Sequence, residues 1–293
     1  MSLNQRGFTL VELVMVIALA GLVAVMISTV LSGPMESFTA QSRRAELVDL
    51  GAGALQRMAR DVRLAVPNSL RVTADGQAFE LLLIHSAARY RPNRNDSDGL
   101  RFGEAAANCG STTVDGACDS VQVLTPSLDL SGARWMVLYN VGAQSGTTPV
   151  VGANLWAGGN PGVITPTGTT FTLRSGAPTD ESLIALGNLP GGGFRFAFAS
   201  PQRRLYLAER VVGYRCQNGQ LVRYSYNQLL ASLPSSPPPG SAPQVLASDV
   251  TQCQFSYRAG TAQRGGLLSL SLGMTQAGET LRLTQQVHVD NAP

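Results

Sequence analysis

The chain has 293 residues with 22 basic and 19 acidic side chains, and its formal net charge of +3 excludes polyanion binding through net charge alone. Every basic residue is an arginine, which excludes a Schiff-base lysine and a Walker-type phosphate loop. Charged residues make up only 14% of the chain, and 31 glycines with 16 prolines favour a strand-rich exported domain over a soluble cytosolic enzyme.

The first predicted element is a long apolar helix that follows a short polar leader. Residues 6–12 read Arg-Gly-Phe-Thr-Leu-Val-Glu, and Leu13 through Met35 contains no charged residue. Such a block is long enough to span a hydrocarbon core of roughly 30 Å. The carboxylate of Glu12 lies near its start, where an ionised group without a partner is costly. Glu12 is therefore a candidate functional residue.

This junction resembles the class III signal of type IV pilins and pseudopilins. In that family a membrane peptidase cuts after the glycine and methylates the new N-terminal phenylalanine, which here are Gly7 and Phe8. The resemblance implies that Glu12 acts in filament assembly. An ordinary secretory signal is instead cut after its apolar region, at a small-residue site. A plain single-pass anchor explains the hydrophobicity but neither Glu12 nor the Gly-Phe-Thr-Leu sequence.

An amphipathic helix is predicted to continue beyond the apolar block, after a kink or loosened turn at Gly33-Pro34. From Phe8 to Val66 the whole helix would be about 88 Å long. Apolar residues at steps of three and four define its buried face: Val48, Ala52, Leu55, Ala59, Val62 and Val66. Charged residues are predicted on the other faces: Arg43, Arg44, Glu46, Asp49, Arg57, Arg60 and Asp61. The mixture of signs there argues against a nucleic-acid or lipid-headgroup footprint.

From Ser69 onward, short alternating runs predict β-strands. The predicted strands are residues 78–84, 120–124, 135–139, 194–198, 204–212, 213–216, 221–226, 254–257, 267–272 and 280–289. Asn218-Gly219 between two of these runs predicts a tight hairpin. Polar, glycine-containing or proline-rich segments at 89–118, 142–168 and 232–243 are predicted to be loops.

The four cysteines fall into two local pairs, Cys109 with Cys118 and Cys216 with Cys253. Neither pair has the C-x-x-C spacing of a zinc or redox site, so disulfides are expected in a domain that follows a membrane segment. Three connectivities are formally possible, and the sequence does not choose among them. Sequential pairing is favoured because each pair brackets a loop or neighbouring strands.

The sequence shows no constellation of catalytic residues. His85 and His288 are the only histidines, and we interpret both as structural. Glu80 and Glu181 have no carboxylate partner that the sequence reveals, and the motifs of nucleophilic, zinc and phosphate-loop chemistry are absent. The expectation is therefore that the protein has no catalytic residue, no cofactor and no metal.

A weak resemblance to a calcium loop lies at residues 93–99 with Glu104. The EF-hand pattern requires a carboxylate where Arg94 stands, and its twelfth position falls on Ala105. A solvated, turn-rich loop explains the same residues, since Asn, Asp, Ser and Gly dominate turns. We favour the turn-rich loop and leave calcium binding in residues 93–104 open.

A long N-terminal helix followed by antiparallel strands is the architecture of the type IV pilin fold. The expected fold class is therefore α+β, with a helix that is half membrane-embedded and half packed on an antiparallel β-sheet domain. Further motifs are similar to minor pilins of the MSHA biogenesis class, of the MshO type. They lie at residues 43–45, 55–63, 67–69, 89–91, 98–103, 213–216 and 291–293. The expected division is a leader at 1–7, a transmembrane and assembly helix at 8–35, and a periplasmic domain at 36–293.

This resemblance implies a minor pilin, a structural and assembly subunit of an MSHA-like type IV pilus, and not an enzyme. The implied partners are a prepilin peptidase that also methylates, other minor and major pilins, the inner-membrane assembly platform and inner-membrane lipid. No nucleic-acid partner is expected. The implied location is the inner membrane with a periplasmic C-terminal domain, and then the filament. A minor pseudopilin of a type II secretion system and a membrane-tethered enzyme or binding module stay open as alternatives.

Overall fold

A computed structural model describes residues 7–92, 99–103, 119–191, 193–260 and 265–291, except for the side chains of residues 31–34 and 36. Over these residues the protein has one long N-terminal helix and a largely antiparallel β domain. This arrangement is compatible with the expected α+β class.

Helix α1 is a single unbroken element, Leu10–Arg63, of 54 residues. At the rise of an ideal α-helix it is about 81 Å long. The helix continues through Gly33 and Pro34, so the loosened turn predicted there does not interrupt it. Its last turn is closed by the N–H of Leu64, which donates to the carbonyl oxygens of Arg60 and Asp61 at 3.3 and 3.1 Å.

Fourteen strands and one 3-10 helix, Leu155–Ala157, lie in the part of the chain that the structure describes. The strands are β1 Arg71–Val72, β2 Ala78–Arg89, β3 Ser120–Val123, β4 Trp135–Val137, β5 Gln144–Ser145, β6 Thr148–Pro149, β7 Thr170–Arg174, β8 Ser182–Gly187, β9 Arg204–Gln217, β10 Gln220–Tyr226, β11 Gln244–Ala247, β12 Val250–Arg258, β13 Gly266–Gln276 and β14 Glu279–Val289.

The central sheet has the strand order β1-β2-β9-β10-β11, and β4 also pairs with β9. Two three-stranded sheets, β12-β13-β14 and β3-β8-β7, and the β5-β6 hairpin complete the domain, and all strand pairs are antiparallel. The β12 edge meets turns of the central sheet through bonds from Phe255 N–H to the Gly76 carbonyl at 2.8 Å and from Val250 N–H to the Gly219 carbonyl at 2.9 Å.

The C-terminal half of α1 packs on the central sheet and on the β12-β13-β14 sheet. Its buried face is rotated relative to the predicted one, because Val48 and Ala52 are only half-buried. The buried helix residues of the first core are Leu47, Ala54, Leu55, Met58, Ala59 and Val62. A Cβ atom on Gly51 would lie 2.6 Å from Cδ1 of Leu283, so the absence of a side chain allows the helix to approach β14.

A second core lies on the opposite face of the central sheet from α1. Leu81 and Leu83 of β2 belong to the core that contains the helix, whereas Leu82 between them belongs to the second core. Successive side chains of a strand point to opposite faces, so the two cores are separated by the sheet. The second core is built around Trp135, Trp156 and two tyrosines of β10.

Most of the predicted strands are present, and the hairpin at Asn218-Gly219 is confirmed. Both turn residues have positive φ angles, 51° and 72°, and they join β9 to β10. Residues 204–212 and 213–216, predicted as two strands, form the single strand β9, and residues 232–243 contain no strand or helix.

The prediction of a strand at residues 194–198 is wrong. Only Phe196 makes sheet-like pairings there, as isolated bridges to Phe102 and Gly162. The alternation arises because Phe194 and Phe196 are both buried in a third core, whereas Phe198 is 40% exposed. Sequence reasoning also missed β7, β8 and β11, and the predicted loop at 142–168 contains the short β5-β6 hairpin.

Candidate functional site

The N-terminal helix begins with a cap at Thr9, directly after the Gly7-Phe8 junction. Thr9 has extended backbone angles, φ −76° and ψ 148°, and its hydroxyl oxygen accepts a hydrogen bond from the Glu12 N–H at 3.3 Å. Thr-x-x-Glu is the sequence of a capping box, and a carboxylate in the first turn also faces the positive end of the helix dipole. Glu12 therefore has a local structural role that the sequence analysis did not consider.

The first part of α1 has the dimensions of a membrane span. Leu10–Val30 is a run of 21 residues with a mean hydropathy of 2.8, and none of it is buried by the rest of the protein. By length and composition this run can cross a hydrocarbon core, since it extends about 32 Å. Thr29 satisfies its hydroxyl within the helix, by donating to the carbonyl oxygens of Val25 and Met26 at 3.2 and 3.0 Å.

The helix stays clear of the β domain for some distance after this run. Met35 and Phe38 are 68% and 74% exposed, and Leu47 is the first buried side chain among those described. Every described side chain of residues 10–39 is exposed, so this part of the helix projects from the domain over about 45 Å. Gly7, Phe8 and Glu12 all lie exposed at the far end of this projection, remote from the sheets.

The anchored half of the helix is fixed to the central sheet by a buried carboxylate, Asp61. Its Oδ2 accepts hydrogen bonds from the Tyr214 hydroxyl at 2.6 Å and from Arg223 Nε at 2.8 Å. Arg57, one helical turn earlier, makes only a longer contact of 3.8 Å with Asp61. Burial, and next the Asp61 carboxylate, raises the pKa of Tyr214, so the phenol stays protonated and donates.

The placement of Asp61 on a solvent-facing side of the helix is therefore wrong. Its side chain is only 5% exposed, because the buried face is rotated from the predicted one. The sequence contained a signal for this position, since Asp61 follows Met58 by three residues and Ala54 by seven, a spacing that places all three on one face.

A second buried carboxylate, Glu80, lies on β2 at the second core. Its partners are a cation and a phenol: Arg71 donates through Nε at 2.8 Å and through Nη2, and the Tyr226 hydroxyl donates at 2.9 Å. Burial raises the pKa of Glu80, although Arg71 opposes that shift. This pairing brings together β1, β2 and β10, and it was not predicted from the sequence, which shows no carboxylate partner for Glu80.

The remaining candidate residues are dispersed. His85 has its Nε2 3.2 Å from Asp129 and its Nδ1 3.8 Å from Glu209, whereas His288 is exposed on β14 in another sheet. The Glu181 carboxylate forms an ion pair with Arg91. These contacts give no pair of neighbouring histidines.

Cys216 and Cys253 form a disulfide between β9 and β12, with Cα atoms 6.3 Å apart. The other predicted pair, Cys109 with Cys118, lies outside the described residues, as do residues 93–98 and Glu104 of the calcium-like loop. Over the described ranges, no group of three or more His, Cys, Asp or Glu side chains is placed to hold a metal ion.

Comparison with known proteins gives a match at the N-terminus. Residues 2–28 match a family model described as "Prokaryotic N-terminal methylation motif". No curated protein has a significant match to the chain, and no solved structure has one. The motif indicates a type IV pilin-like or pseudopilin protein, and it implies processing by prepilin peptidase and assembly with pilin machinery.

Proposed function

We propose that this protein is a minor pilin, a structural and assembly subunit of an MSHA-like type IV pilus, and that it has no enzymatic activity. The observation that carries the proposal is the methylation motif at residues 2–28 on a helix whose first half projects bare from a β domain. A helix with this much exposed apolar surface requires lipid or neighbouring helices around it.

In this proposal the chain is cut after Gly7, and Phe8 becomes a methylated N-terminal amine that keeps its positive charge. The backbone supports this step, because residues 7–9 are non-helical and exposed before α1 begins at Leu10. Residues 8–35 then act as the membrane and assembly helix, and residues 36–293 form the periplasmic domain.

Glu12 serves assembly in this proposal by pairing with the Phe8 amine of a neighbouring subunit. The carboxylate lies in the third residue of a run that can cross the membrane, and its side chain has no recorded ion pair among the described residues. A charge in hydrocarbon is strongly favoured to find a partner of opposite sign.

The proposed partners follow from the same motif: prepilin peptidase, the inner-membrane assembly platform, and other minor and major pilins. The proposed location is the inner membrane, with lipid around the helix, and afterwards the filament. A minor pseudopilin of a type II secretion system is the second candidate, because the methylation motif is common to both classes.

Processing is tested by mass spectrometry of the protein from the cell envelope. The expected N-terminus is N-methylated Phe8, and replacement of Gly7 by leucine is expected to leave the precursor uncut. An intact Met1 terminus in the wild-type envelope, or a cut after the apolar run, would exclude the pilin class altogether.

The filament class is tested by deleting the gene and complementing it with an epitope-tagged chain. A minor pilin is expected in sheared surface filaments together with sibling pilins, and its loss is expected to reduce filament number. Normal filaments together with loss of secretin-dependent export would instead assign the protein to type II secretion.

A further inference from the structure

A cavity of about 530 Å3 lies beside the proline-rich segment that follows β10. This volume is within the range of small-molecule sites in proteins, roughly 300–1,000 Å3. Its lining includes the turn at 238–242 and the side chains of Arg134, Glu209 and Arg210. Tyr226, which belongs to the second core, also lines it.

The segment between β10 and the turn at 238–242 is held in place by Arg71. The guanidinium donates to the carbonyl oxygens of Leu230 and Ala231, both at 2.8 Å, and lies 3.9 Å from the ring centre of Trp156. Its other partner is the fully buried Glu80. The start of the proline-rich segment is thus fixed by hydrogen bonds to a buried ion pair.

The turn itself is also preorganised. Arg215 Nη2 donates to the Pro234 carbonyl, and both the N–H and the hydroxyl of Ser241 donate to the Pro238 carbonyl at 3.1 and 2.6 Å. Gly240 has a φ of +79°, and the prolines before it have fixed φ angles. A wall that is already ordered loses little conformational entropy when a ligand binds.

The charged side chains that line the cavity indicate the charge of the ligand that it could bind. Glu209 and Arg210 neutralise each other through two parallel hydrogen bonds of 3.0 Å. Arg134 is exposed, and within the described ranges its guanidinium has no recorded carboxylate partner. The other polar lining groups are uncharged: Ser225, Asn227 and Gln228. The cavity therefore offers one unpaired positive charge surrounded by neutral donors and acceptors.

We propose that this cavity binds a sugar acid, a small hydroxyl-rich molecule with a single carboxylate, and that Arg134 pairs with that carboxylate. A guanidinium binds a carboxylate through two parallel hydrogen bonds, and the neutral groups suit sugar hydroxyls. Among its described lining residues the cavity has only one unpaired arginine, and the carboxylate of Glu209 also lines it. A ligand with one negative charge is therefore favoured over a phosphate ester, which carries nearly two. The inference does not depend on the proposed function.

The test uses the full processed chain in detergent micelles and calorimetric titration with three sugars that share one hexose ring and differ at C6. Glucuronate is the ligand probe, glucose lacks the charge, and glucose 6-phosphate carries a dianion. Glucuronate is expected to bind saturably, and glucose and glucose 6-phosphate at least tenfold more weakly. Arg134→Gln removes the charge and the paired hydrogen bonds, so it is expected to weaken glucuronate binding at least tenfold, since even one hydrogen bond to a charged group contributes about that much.

Arg258→Gln is the matched control, because Arg258 is an exposed arginine on β12 outside the cavity. It is expected to bind glucuronate as the wild type does. Arg134→Lys keeps the charge but loses the paired geometry, so it is expected to be intermediate. The proposal is overturned by absence of saturable glucuronate binding, by equal binding of glucose, by tighter binding of glucose 6-phosphate, or by an Arg134→Gln variant that binds as the wild type does.

Discussion

At the residue scale, Glu12 combines two physical roles that a single substitution would confuse. Its N–H closes the cap at Thr9, and its carboxylate is the only acidic group in the run that can cross a membrane. Both Glu12→Gln and Glu12→Ala keep this backbone N–H, but glutamine keeps the polar side chain of a capping box without the charge, and alanine has neither. The pair of variants therefore separates the polarity of the side chain from its charge.

Both variants are expected to insert and to be cut after Gly7, yet to be missing from filaments, because assembly depends on the charge. The measurement is immunoblotting of sheared filaments against the envelope fraction. Glu46→Gln is the control, since Glu46 is exposed on the same helix outside the apolar run. Normal incorporation of Glu12→Gln with failure of Glu12→Ala would show that assembly requires a polar side chain at this position and not its charge.

Arg71 stabilises the fold because it compensates a carboxylate that has no access to solvent. Arg71→Met removes the guanidinium and leaves Glu80 buried with only the Tyr226 hydroxyl. Loss of one partner of a buried ion pair costs about 3–5 kcal/mol. The free energy of unfolding near pH 7 is expected to fall by this amount, measured by urea titration. Arg89→Met, at an exposed end of β2, is expected to have little effect.

The cost of Arg71→Met should depend on pH with a definite sign. Burial holds the folded pKa of Glu80 above its ordinary value, and removal of Arg71 takes away the cation that opposes this shift. A carboxyl group with a raised folded pKa stabilises the protein most below its unfolded pKa and loses that contribution as pH rises. The deficit of Arg71→Met is therefore expected to shrink as pH falls toward 4.5. A deficit that grows on acidification would contradict the role of Glu80.

At the scale of elements, α1 is one helix with two environments. Its first half is exposed, whereas its second half is packed between two sheets through a face centred on Leu55. The helix is therefore attached to the domain only by its C-terminal part, and its attachment depends on that face.

Leu55→Asp is expected to release the helix from the sheets. Loss of a buried leucine alone costs about 2–5 kcal/mol, and an unpaired buried charge adds to this. The expected result is a domain that is largely unfolded at 37 °C, measured by near-ultraviolet circular dichroism in detergent. Gln56→Asp is the control one residue further along, on the exposed side of the helix. Native-like spectra for Leu55→Asp would show that the helix is not part of the core.

At the scale of the whole molecule, the disulfide links the two sheets that hold the helix. Cys216 is in the central sheet and Cys253 is in the β12-β13-β14 sheet, 37 residues apart in sequence. Replacement of both by alanine is expected to cost about 4 kcal/mol in the chain-entropy model. The free energy of unfolding of the variant, measured by urea titration and compared with that of the wild type, checks this. Free thiols at these two positions in the purified folded protein would contradict the pairing.

Local patterns in the sequence predicted the apolar helix, the Asn218-Gly219 hairpin and most long strands. These features depend on contacts between residues near each other along the chain, so hydrophobic periodicity and turn chemistry reveal them. The N-terminal motif has the same character, because seven consecutive residues carry it. The sequence by itself thus determined the membrane-capable helix, the likeness to prepilins and the α+β class.

Only the tertiary structure decided which buried charged groups pair with each other. Glu80 and Arg71 are nine residues apart and Asp61 and Arg223 are 162 apart, and neither spacing identifies a partner in advance. The prediction of a strand at 194–198 was wrong for a related reason. The alternation of buried and exposed side chains there reflects burial of a loop and not pairing with a neighbouring strand. The cavity at Arg134 likewise combines four segments of the chain, at 132–134, 209–210, 225–228 and 238–242. Such features depend on how sheets and loops meet in space, and no local pattern of residues encodes that.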